Sequence, residues 1–333
     1  MRQTATLTLS STRRRFAGQL SAALLASACA AGLATSAFAA QPGPGSTIRI
    51  QHAKGETAVP AAPKRVVVYD LGSLDTLHTL GLPVAGVAKA KFPEFLQGYA
   101  DAKVPSAGSL FEPDYEALSQ IQPDLIIVGG RSASKFDTLS KIAPTVDFTV
   151  NTKQLLADVE RNVTQIAGLY GKQAQGQALV GSIQSEVAEL CQLAGQAQPG
   201  LLLMAINERL APQAPGARFG FLFDALGARS AITAQDVPPR GTAYTFDNVA
   251  KLNPEWIYVI DRNTGTGSAA GGGEIIPSQK VFDNAQVKAT RAGQKGQVVF
   301  LDPKGWYLMG STGPTSLRAN VAQLKAAYTQ AQR

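Results

Sequence analysis

Two arginines occupy equivalent positions in an internal repeat of the sequence. Residues 115–131 are YEALSQIQPDLIIVGGR, and residues 246–262 are FDNVAKLNPEWIYVIDR. Each segment runs from an aromatic residue and an acid through an amphipathic stretch, a proline and an apolar run to an arginine, with a constant offset of 131 residues. A guanidinium group stays charged at any physiological pH and donates paired hydrogen bonds to anionic oxygens. Arg131 and Arg262 are therefore candidates for binding an anion.

The order of elements in the repeat predicts where these arginines lie. The amphipathic stretch predicts a helix, and the apolar run predicts a buried strand. Pro123 and Pro254 separate the two elements, because proline ends a helix and favours an extended residue before it. Each arginine then follows the carboxyl end of a strand, where ligands bind in open α/β sheets. Two lobes that each present such an arginine would face one another across a cleft.

The remaining sequence favours the same architecture. Short runs rich in β-branched residues, such as KRVVVY at 64–69, alternate with helical patterns such as 74–80. This alternation predicts mostly parallel sheets covered by helices. We therefore expect an α/β fold with two Rossmann-like lobes, one long helix that joins them and a ligand cleft between the lobes.

One long amphipathic segment separates the two halves of the chain. Residues 173–194 place five apolar residues on one helical stripe: Leu179, Ile183, Val187, Leu190 and Ala194. At 1.5 Å per residue this helix would be about 33 Å long. The predicted organisation is a signal peptide in residues 1–40, an N-terminal α/β lobe in 41–172, an inter-lobe helix in 173–196 and a C-terminal α/β lobe in 197–333.

The first forty residues predict export. Four arginines and no acid precede a run rich in Ala, Leu and Ser that ends in Ala37-Phe38-Ala39, the pattern that a signal peptidase cleaves. The run is too weakly apolar for a good membrane anchor. Residues 12–16 (TRRRF) also resemble a twin-arginine motif, so the general secretory and twin-arginine routes both stay open. A lipid anchor at Cys29 is disfavoured, because Ala26 stands where such signals usually carry leucine.

Charge and cysteine content exclude several classes of protein. The chain carries a net charge of +7, of which residues 1–40 supply four arginines and no acid, so +3 remains for the mature protein. That charge is too small and dispersed to indicate a nucleic-acid partner. Cys191 is alone after cleavage, which rules out an intramolecular disulfide. The two histidines, His52 and His78, belong to no cluster with metal-ligand spacing, which argues against a receptor for bare zinc or manganese.

Several separate motifs, in order, carry a family resemblance over residues 64–328. They are VVVYDLGSLDTL (66–77), PDLIIVGGR (123–131), GARFG (216–220), NPEWIYVIDRN (253–263), VFDNAQVKAT (281–290) and LDPKGWYL (301–308). The chain resembles the periplasmic ferric-siderophore-binding proteins of ABC importers, in the branch for catecholate and mixed catecholate–citrate siderophores. The resemblance implies a periplasmic protein, expected to be monomeric, with no intrinsic cofactor and no enzymatic activity, that delivers a ferric siderophore to an inner-membrane ABC permease.

The resemblance also implies roles for individual residues. Three arginines surround the anionic iron complex in this branch, and the matching positions are Arg131, Arg218 and Arg262. Tyr307 matches a tyrosine that can bind Fe(III) directly, and we expect Trp306 beside it to contact the ligand as well. Three converging cations without an adjacent acid would require a multiply charged anion.

The sequence departs from the family pattern at one position. Many members have a histidine that binds iron, and here Arg240 stands at that place. Arginine has no acceptor lone pair and does not ligate a metal. Arg240 is therefore expected to act as a fourth cation, for a complex that is more highly charged or that fills the coordination sphere of iron by itself.

Two acids of the repeat have a different expected role. Glu116 and Asp247 each lie seven residues before the proline of their segment. The resemblance implies that one acid per lobe docks against arginines of the permease. The alternative is that both are solvated acids that stabilise the first turn of a helix through its dipole.

Other functions fit the sequence less well. A haem or cobalamin receptor of the same architecture stays open as an alternative, although it predicts fewer clustered arginines. A periplasmic hydrolase would need a nucleophile with a base in reach, and residues 308–313 (LMGSTG) lack the G-x-S-x-G pattern. Residues 265–270 (GTGSAA) are followed by more glycines and a proline, which favours a mobile loop beside the cleft over a dinucleotide-binding turn.

Overall fold

Buried β-branched and aliphatic strands form the frame of each lobe. The computed structural model describes residues 46–333, so the predicted signal peptide, with Cys29 and the Ala37–Ala39 pattern, lies outside the described residues. The first half contains strands β1 Thr47–His52, β2 Gly55–Pro60, β3 Val66–Val68, β4 Gly86–Lys89, β5 Ser106–Ser109, β6 Leu125–Val128 and β7 Thr145–Asp147; the second half contains β8 Gly200–Ile206, β9 Arg209–Gln213, β10 Trp256–Asp261 and β11 Val298–Leu301.

The strands form two main sheets that are mostly parallel. The first has the order β5-β4-β3-β6-β7, and every pair in it is parallel. The second has the order β11-β10-β8-β9, in which β9 pairs antiparallel with β8. Strands β1 and β2 form a separate antiparallel hairpin. The predicted two-lobed α/β fold is thereby confirmed, with one antiparallel edge strand in the second lobe.

Twelve α-helices within residues 46–333 cover and connect the sheets. They are α1 Leu71–Thr79, α2 Tyr115–Ile121, α3 Phe136–Leu139, α4 Leu155–Leu169, α5 Gln173–Gln196, α6 Phe221–Asp224, α7 Phe246–Leu252, α8 Arg262–Thr266, α9 Ser278–Phe282, α10 Ala285–Ala289, α11 Arg291–Gln294 and α12 Pro314–Ala331. Within the described part, none of these helices is both long and apolar enough to cross a membrane.

The repeat in the sequence is a repeat in the structure. Helix α2 leads into β6 in the first lobe, and α7 leads into β10 in the second. Both helices end at a residue in the left-handed region, Gln122 with φ of 51° and Asn253 with φ of 49°, and the proline follows directly. Each strand is fully buried and is followed by its arginine, so the two arginines lie at the carboxyl ends of parallel strands.

Helices α4, α5 and α12 make the junction between the lobes more extensive than a single connecting helix. The long helix α5 packs against both α4 and α12. Helix α4 contributes Leu155, Val159 and Val163 to the core of the second lobe, while Ile166 and Leu169 belong to the core of the first. One continuous helical layer therefore supports both lobes on the side where the chain crosses.

A second inter-lobe contact joins α1 to the start of α12. The buried Asp75 of α1 accepts hydrogen bonds from the backbone N–H groups of Thr315 at 3.2 Å and Ser316 at 2.9 Å. Gly313, which precedes α12, supplies no side-chain cap, and a Cβ there would lie 2.4 Å from the Asp75 carboxylate. A carboxylate of one lobe thus caps a helix of the other, as the unpaired N–H groups and the dipole of a helix N-terminus favour.

The segment predicted to be a mobile loop beside the cleft is partly helical. Helix α8 runs through Thr266, and Gly267 ends it in the left-handed conformation. Asp261 caps this helix by accepting a hydrogen bond from the Thr264 N–H. The expectation missed this short helix because its glycines concealed the capping pattern.

Candidate functional site

A π-helical turn places Tyr307 between the two lobes. The turn spans Lys304–Leu308, after β11. Close packing holds it in place: a Cβ on Gly265 of α8 would lie 2.6 Å from the Pro303 carbonyl oxygen, and the N–H of Gly305 donates to the Asp302 carboxylate. Such single π-helical turns occur frequently at functional sites.

Arg131 reaches from the first lobe to this turn. It lies in a short 3₁₀ helix, Gly130–Lys135, directly after β6. Its guanidinium donates to the carbonyl oxygens of Leu308 at 3.0 Å and Tyr307 at 3.2 Å. Burial lowers the pKa of Arg131, and the nearby positive charge of Arg218 lowers it further. Arg131 therefore connects the two lobes, and the other N–H groups of its guanidinium stay available to donate to a ligand.

Arg218 and Arg262 surround the same tyrosine from the second lobe. Arg218 lies in the turn between β9 and α6; it donates to the Tyr307 carbonyl at 3.4 Å, and its guanidinium carbon is 5.1 Å from the centre of the Tyr307 ring. The guanidinium carbon of Arg262, the first residue of α8, is 6.0 Å from that ring centre. The structure thus brings together Arg131, Arg218, Arg262 and Tyr307.

The three arginines have no carboxylate partners within residues 46–333. No ion pair there includes any of them. Arg262 donates to the Asn263 side-chain oxygen at 2.8 Å and to the Ser268 carbonyl at 3.2 Å. Neutral acceptors therefore orient the guanidinium groups without cancelling their charge, and Asp70 is the acid whose charge acts on Arg131.

One acid does line the cleft, contrary to the expectation that no acid lies beside the cations. Asp70 follows β3 and caps α1, accepting hydrogen bonds from the N–H and the hydroxyl of Ser73, each at 2.7 Å. Burial raises the pKa of Asp70, although these hydrogen bonds oppose the effect. Gly129 allows its close approach, because a Cβ there would lie 2.7 Å from the Asp70 carboxyl carbon. The position of Asp70 just after strand β3 is the feature of the sequence that could have predicted its place in the cleft.

Residues of both lobes line a cavity of about 310 Å³ beside Arg131 and Arg218, and its lining does not include Arg262 or Tyr307. The first lobe contributes Asp70, Leu110, Gly130 and Arg131, and the second contributes Arg218, Phe219, Met309 and Thr312. Phe219 and Met309 are buried and give the cavity apolar walls beside the guanidinium groups. A cavity with apolar walls and a few charged groups suits an anion that carries aromatic rings.

Trp306 does not contact the cleft as expected. Its side chain is fully buried, and it stacks on Phe221 with ring centres 5.2 Å apart. The expectation of direct ligand contact is corrected: adjacent residues on a helical turn point in different directions, so Tyr307 lies beside the guanidinium groups of Arg218 and Arg262 while Trp306 packs in the core.

Arg240 and the two histidines also lie outside the cavity lining. Arg240 is exposed in a turn, and its side chain has no hydrogen-bond or ion-pair partner within residues 46–333. His52 is 2.8 Å from the Thr57 hydroxyl, and His78 packs against Phe95 and Tyr99. No group of three potential metal-binding side chains of His, Cys, Asp or Glu occurs in the described residues.

Glu116 and Asp247 occupy matching exposed positions. Each lies in the first turn of its repeat helix, α2 or α7. Neither side chain forms an ion pair in the part of the chain that the structure describes. Both carboxylates are therefore available to a partner.

A family model matches this two-lobed frame. The model described as "Periplasmic binding protein" aligns with residues 66–304. The chain belongs to the periplasmic binding protein family. Members of this family bind substrates and are not enzymes.

Two relatives and two solved structures illustrate the similarity. The petrobactin-binding protein YclQ of Bacillus subtilis is 32% identical over 84% of this chain and 87% of its own length. The ferric-anguibactin-binding protein FatB of Vibrio anguillarum is 28% identical over the same shares. The crystal structure of YclQ covers 85% of this chain and 98% of that one with a TM-score of 0.77. The periplasmic catecholate-siderophore binding protein VctP of Vibrio cholerae, 28% identical, covers 84% and 99% with a TM-score of 0.77.

Proposed function

We propose that this periplasmic binding protein carries an anionic ferric siderophore of the catecholate type to an ABC permease. The observation that supports it is the group of three guanidinium groups around Tyr307, at the interface of the lobes, none of which forms an ion pair with a described residue. Ferric catecholates carry several negative charges on a compact, partly aromatic complex. Guanidinium groups that are already oriented lose little freedom on binding such a complex, which favours affinity.

The relatives support the same class of ligand. Their printed names include petrobactin, ferric anguibactin and catecholate siderophores. The proposed cargo is thus the ferric complex itself, and the protein needs no resident cofactor. Arg131, Arg218 and Arg262 bind the anionic oxygens, and the Tyr307 phenol is the candidate direct ligand to Fe(III).

The proposed setting is the periplasm. After cleavage near Ala39 the mature chain acts as a monomer that shuttles between free ligand and the permease. Glu116 and Asp247, one on each lobe, are the proposed docking carboxylates. Their exposure and their equivalent positions in the two lobes support this role.

The experiment that tests this function is a binding panel on the mature protein. Ferric and iron-free siderophores of the catecholate, hydroxamate and carboxylate classes are titrated while tryptophan fluorescence is recorded. We expect ferric catecholates to bind tightest, and Arg131→Ala, Arg218→Ala and Arg262→Ala each to cost about 1.5–3 kcal/mol of binding, the range for hydrogen bonds to charged groups. Equal affinity for a cationic hydroxamate complex, or normal binding by all three variants, would overturn the proposal.

A further inference from the structure

Two lysines of the first lobe lie against the loops that carry the arginines of the second lobe. Lys91 follows β4, and its Cε lies 3.1 Å from the position that a Cβ would occupy on Gly267. Gly267 ends α8, the helix that begins at Arg262. Lys153 follows β7, and its Cε lies 3.7 Å from the corresponding position on Gly216, two residues before Arg218.

The backbone of each lysine is held in place. Phe92, next to Lys91, is buried, and its carbonyl accepts a hydrogen bond from Gln97 at 2.6 Å. The N–H of Lys153 donates to the Asn151 side-chain oxygen at 3.0 Å, and the neighbouring Thr152 lines the cavity. Both lysines therefore start from fixed positions at the carboxyl edge of the first sheet.

Neither ammonium group has a partner among the described residues. Within residues 46–333, no side-chain hydrogen bond or ion pair includes the Nζ of Lys91 or of Lys153. Both glycines beneath the lysine stems have positive φ, 66° at Gly267 and 78° at Gly216, and offer no side chain that could screen the charge. Two further cations thus lie outside the lining of the cavity that contains Arg131 and Arg218, and Lys91 lines a separate cavity beside β4 and β5.

The contacts place each lysine beside a segment that carries one arginine. Arg218 and Arg262 both lie over the Tyr307 ring, Lys153 adjoins the loop of Arg218, and Lys91 adjoins the end of the helix that begins at Arg262. Each lysine therefore lies at a contact between the lobes, near a segment whose arginine reaches Tyr307.

From these contacts, and resting on the proposed function, we infer that Lys91 and Lys153 bind anionic groups at the periphery of the ferric complex. The ligand class is then a ferric siderophore with carboxylates, or equivalent anions, outside its iron-binding core. Flexible lysines suit this role, because a point charge on a long stem can follow groups whose position varies. The arginines would bind the iron-containing core of the complex, and the lysines would favour complexes whose outer groups are negatively charged.

Two matched ligands test the inference. One is a hexadentate ferric tris-catecholate with three pendant carboxylates, and the other is its counterpart with three carboxamides. Both have the same trianionic core. We expect wild type to bind the carboxylate form more tightly, and Lys91→Gln and Lys153→Gln each to weaken that form three- to tenfold, with less than a twofold change for the carboxamide form. The difference should shrink at high salt, because exposed charges are screened.

The controls separate the two proposals. Lys141→Gln removes an exposed lysine that precedes β7, at the opposite edge of the sheet, and should change neither affinity. Thermal unfolding of all variants checks that the fold is intact. If wild type binds both ligands and the lysine variants lose affinity equally for the two, or not at all, the inference is wrong and the proposed function stands. If wild type binds neither ligand, both proposals fail.

Discussion

Arg240 follows two prolines in an exposed turn, and no neighbour among residues 46–333 uses its charge. By the family resemblance, Arg240 is expected to stand where many members have an iron-binding histidine. An imidazole can ligate iron through a nitrogen lone pair, and a guanidinium cannot. This single position therefore bears on whether the protein or the siderophore completes the coordination of iron.

We predict that wild type binds hexadentate ferric catecholates at least as well as tetradentate ones, which leave two iron sites open. Arg240→His should improve tetradentate binding, shift the visible charge-transfer band and weaken hexadentate binding through the lost charge. Arg240→Gln is the matched control, since it removes the charge without adding a donor. Visible titrations measure all three proteins. A wild-type preference for the tetradentate complex, with a band that disappears in Tyr307→Phe, would show that tyrosine alone suffices.

Residue types and strand positions revealed only part of the site. Arg131 and Arg262 could be predicted because each follows a buried strand in a repeat. Arg218 and Tyr307 required the family resemblance, since a turn after an antiparallel strand and a π-helical turn have no periodic signal. Asp70 and the inward packing of Trp306 depend on side-chain directions that one sequence does not specify.

Among the elements, α2 and α7 are the two that the repeat makes equivalent. Helix, left-handed cap, proline and strand recur with the same offset, so the prediction of these units was accurate. Strands β5 (SAGS) and β7 (TVD) were not foreseen, because they lack the run of apolar residues that marks the equally short β3 and β6.

The equivalence of α2 and α7 leads to a prediction about docking. Glu116→Arg and Asp247→Arg should abolish iron uptake in cells and leave ligand affinity of the purified protein unchanged, because neither residue lines the cleft. Uptake of radioactive iron and titration of the purified variants measure the two properties. Glu160→Arg, an exposed acid on α4 outside the repeat, is the control and should transport normally. Loss of ligand binding in either docking variant would argue against the docking role.

At the scale of the whole molecule, the lobes are joined at several places. Helices α4 and α5 form a shared layer, Asp75 caps α12 from the other lobe, and Arg131 holds the Tyr307 turn. Buried contacts of this kind resist large hinge motions, so we expect only a small change in the radius of gyration on ligand binding. The assignment of residues 41–172, 173–196 and 197–333 to separate units stays a prediction.

Asp75→Ala should loosen this junction. The variant leaves the N–H groups of Thr315 and Ser316 without an acceptor, which should lower the free energy of unfolding by about 1–3 kcal/mol. It should also increase the radius of gyration of the ligand-free protein in small-angle scattering. Asp114→Ala is the matched control, because Asp114 caps α2 within one lobe, so stability should fall while the radius stays constant. Equal radii for wild type and Asp75→Ala would contradict the proposed role of the junction.

The position of iron in the loaded protein tests the central claim most directly. Crystals of the mature protein with a ferric tris-catecholate can be measured at the iron absorption edge, which locates the metal without reference to the protein coordinates. We predict one anomalous peak between the lobes, beside the Tyr307 ring and surrounded by the guanidinium groups of Arg131, Arg218 and Arg262. A peak outside the cleft, or one remote from these arginines, would contradict the account.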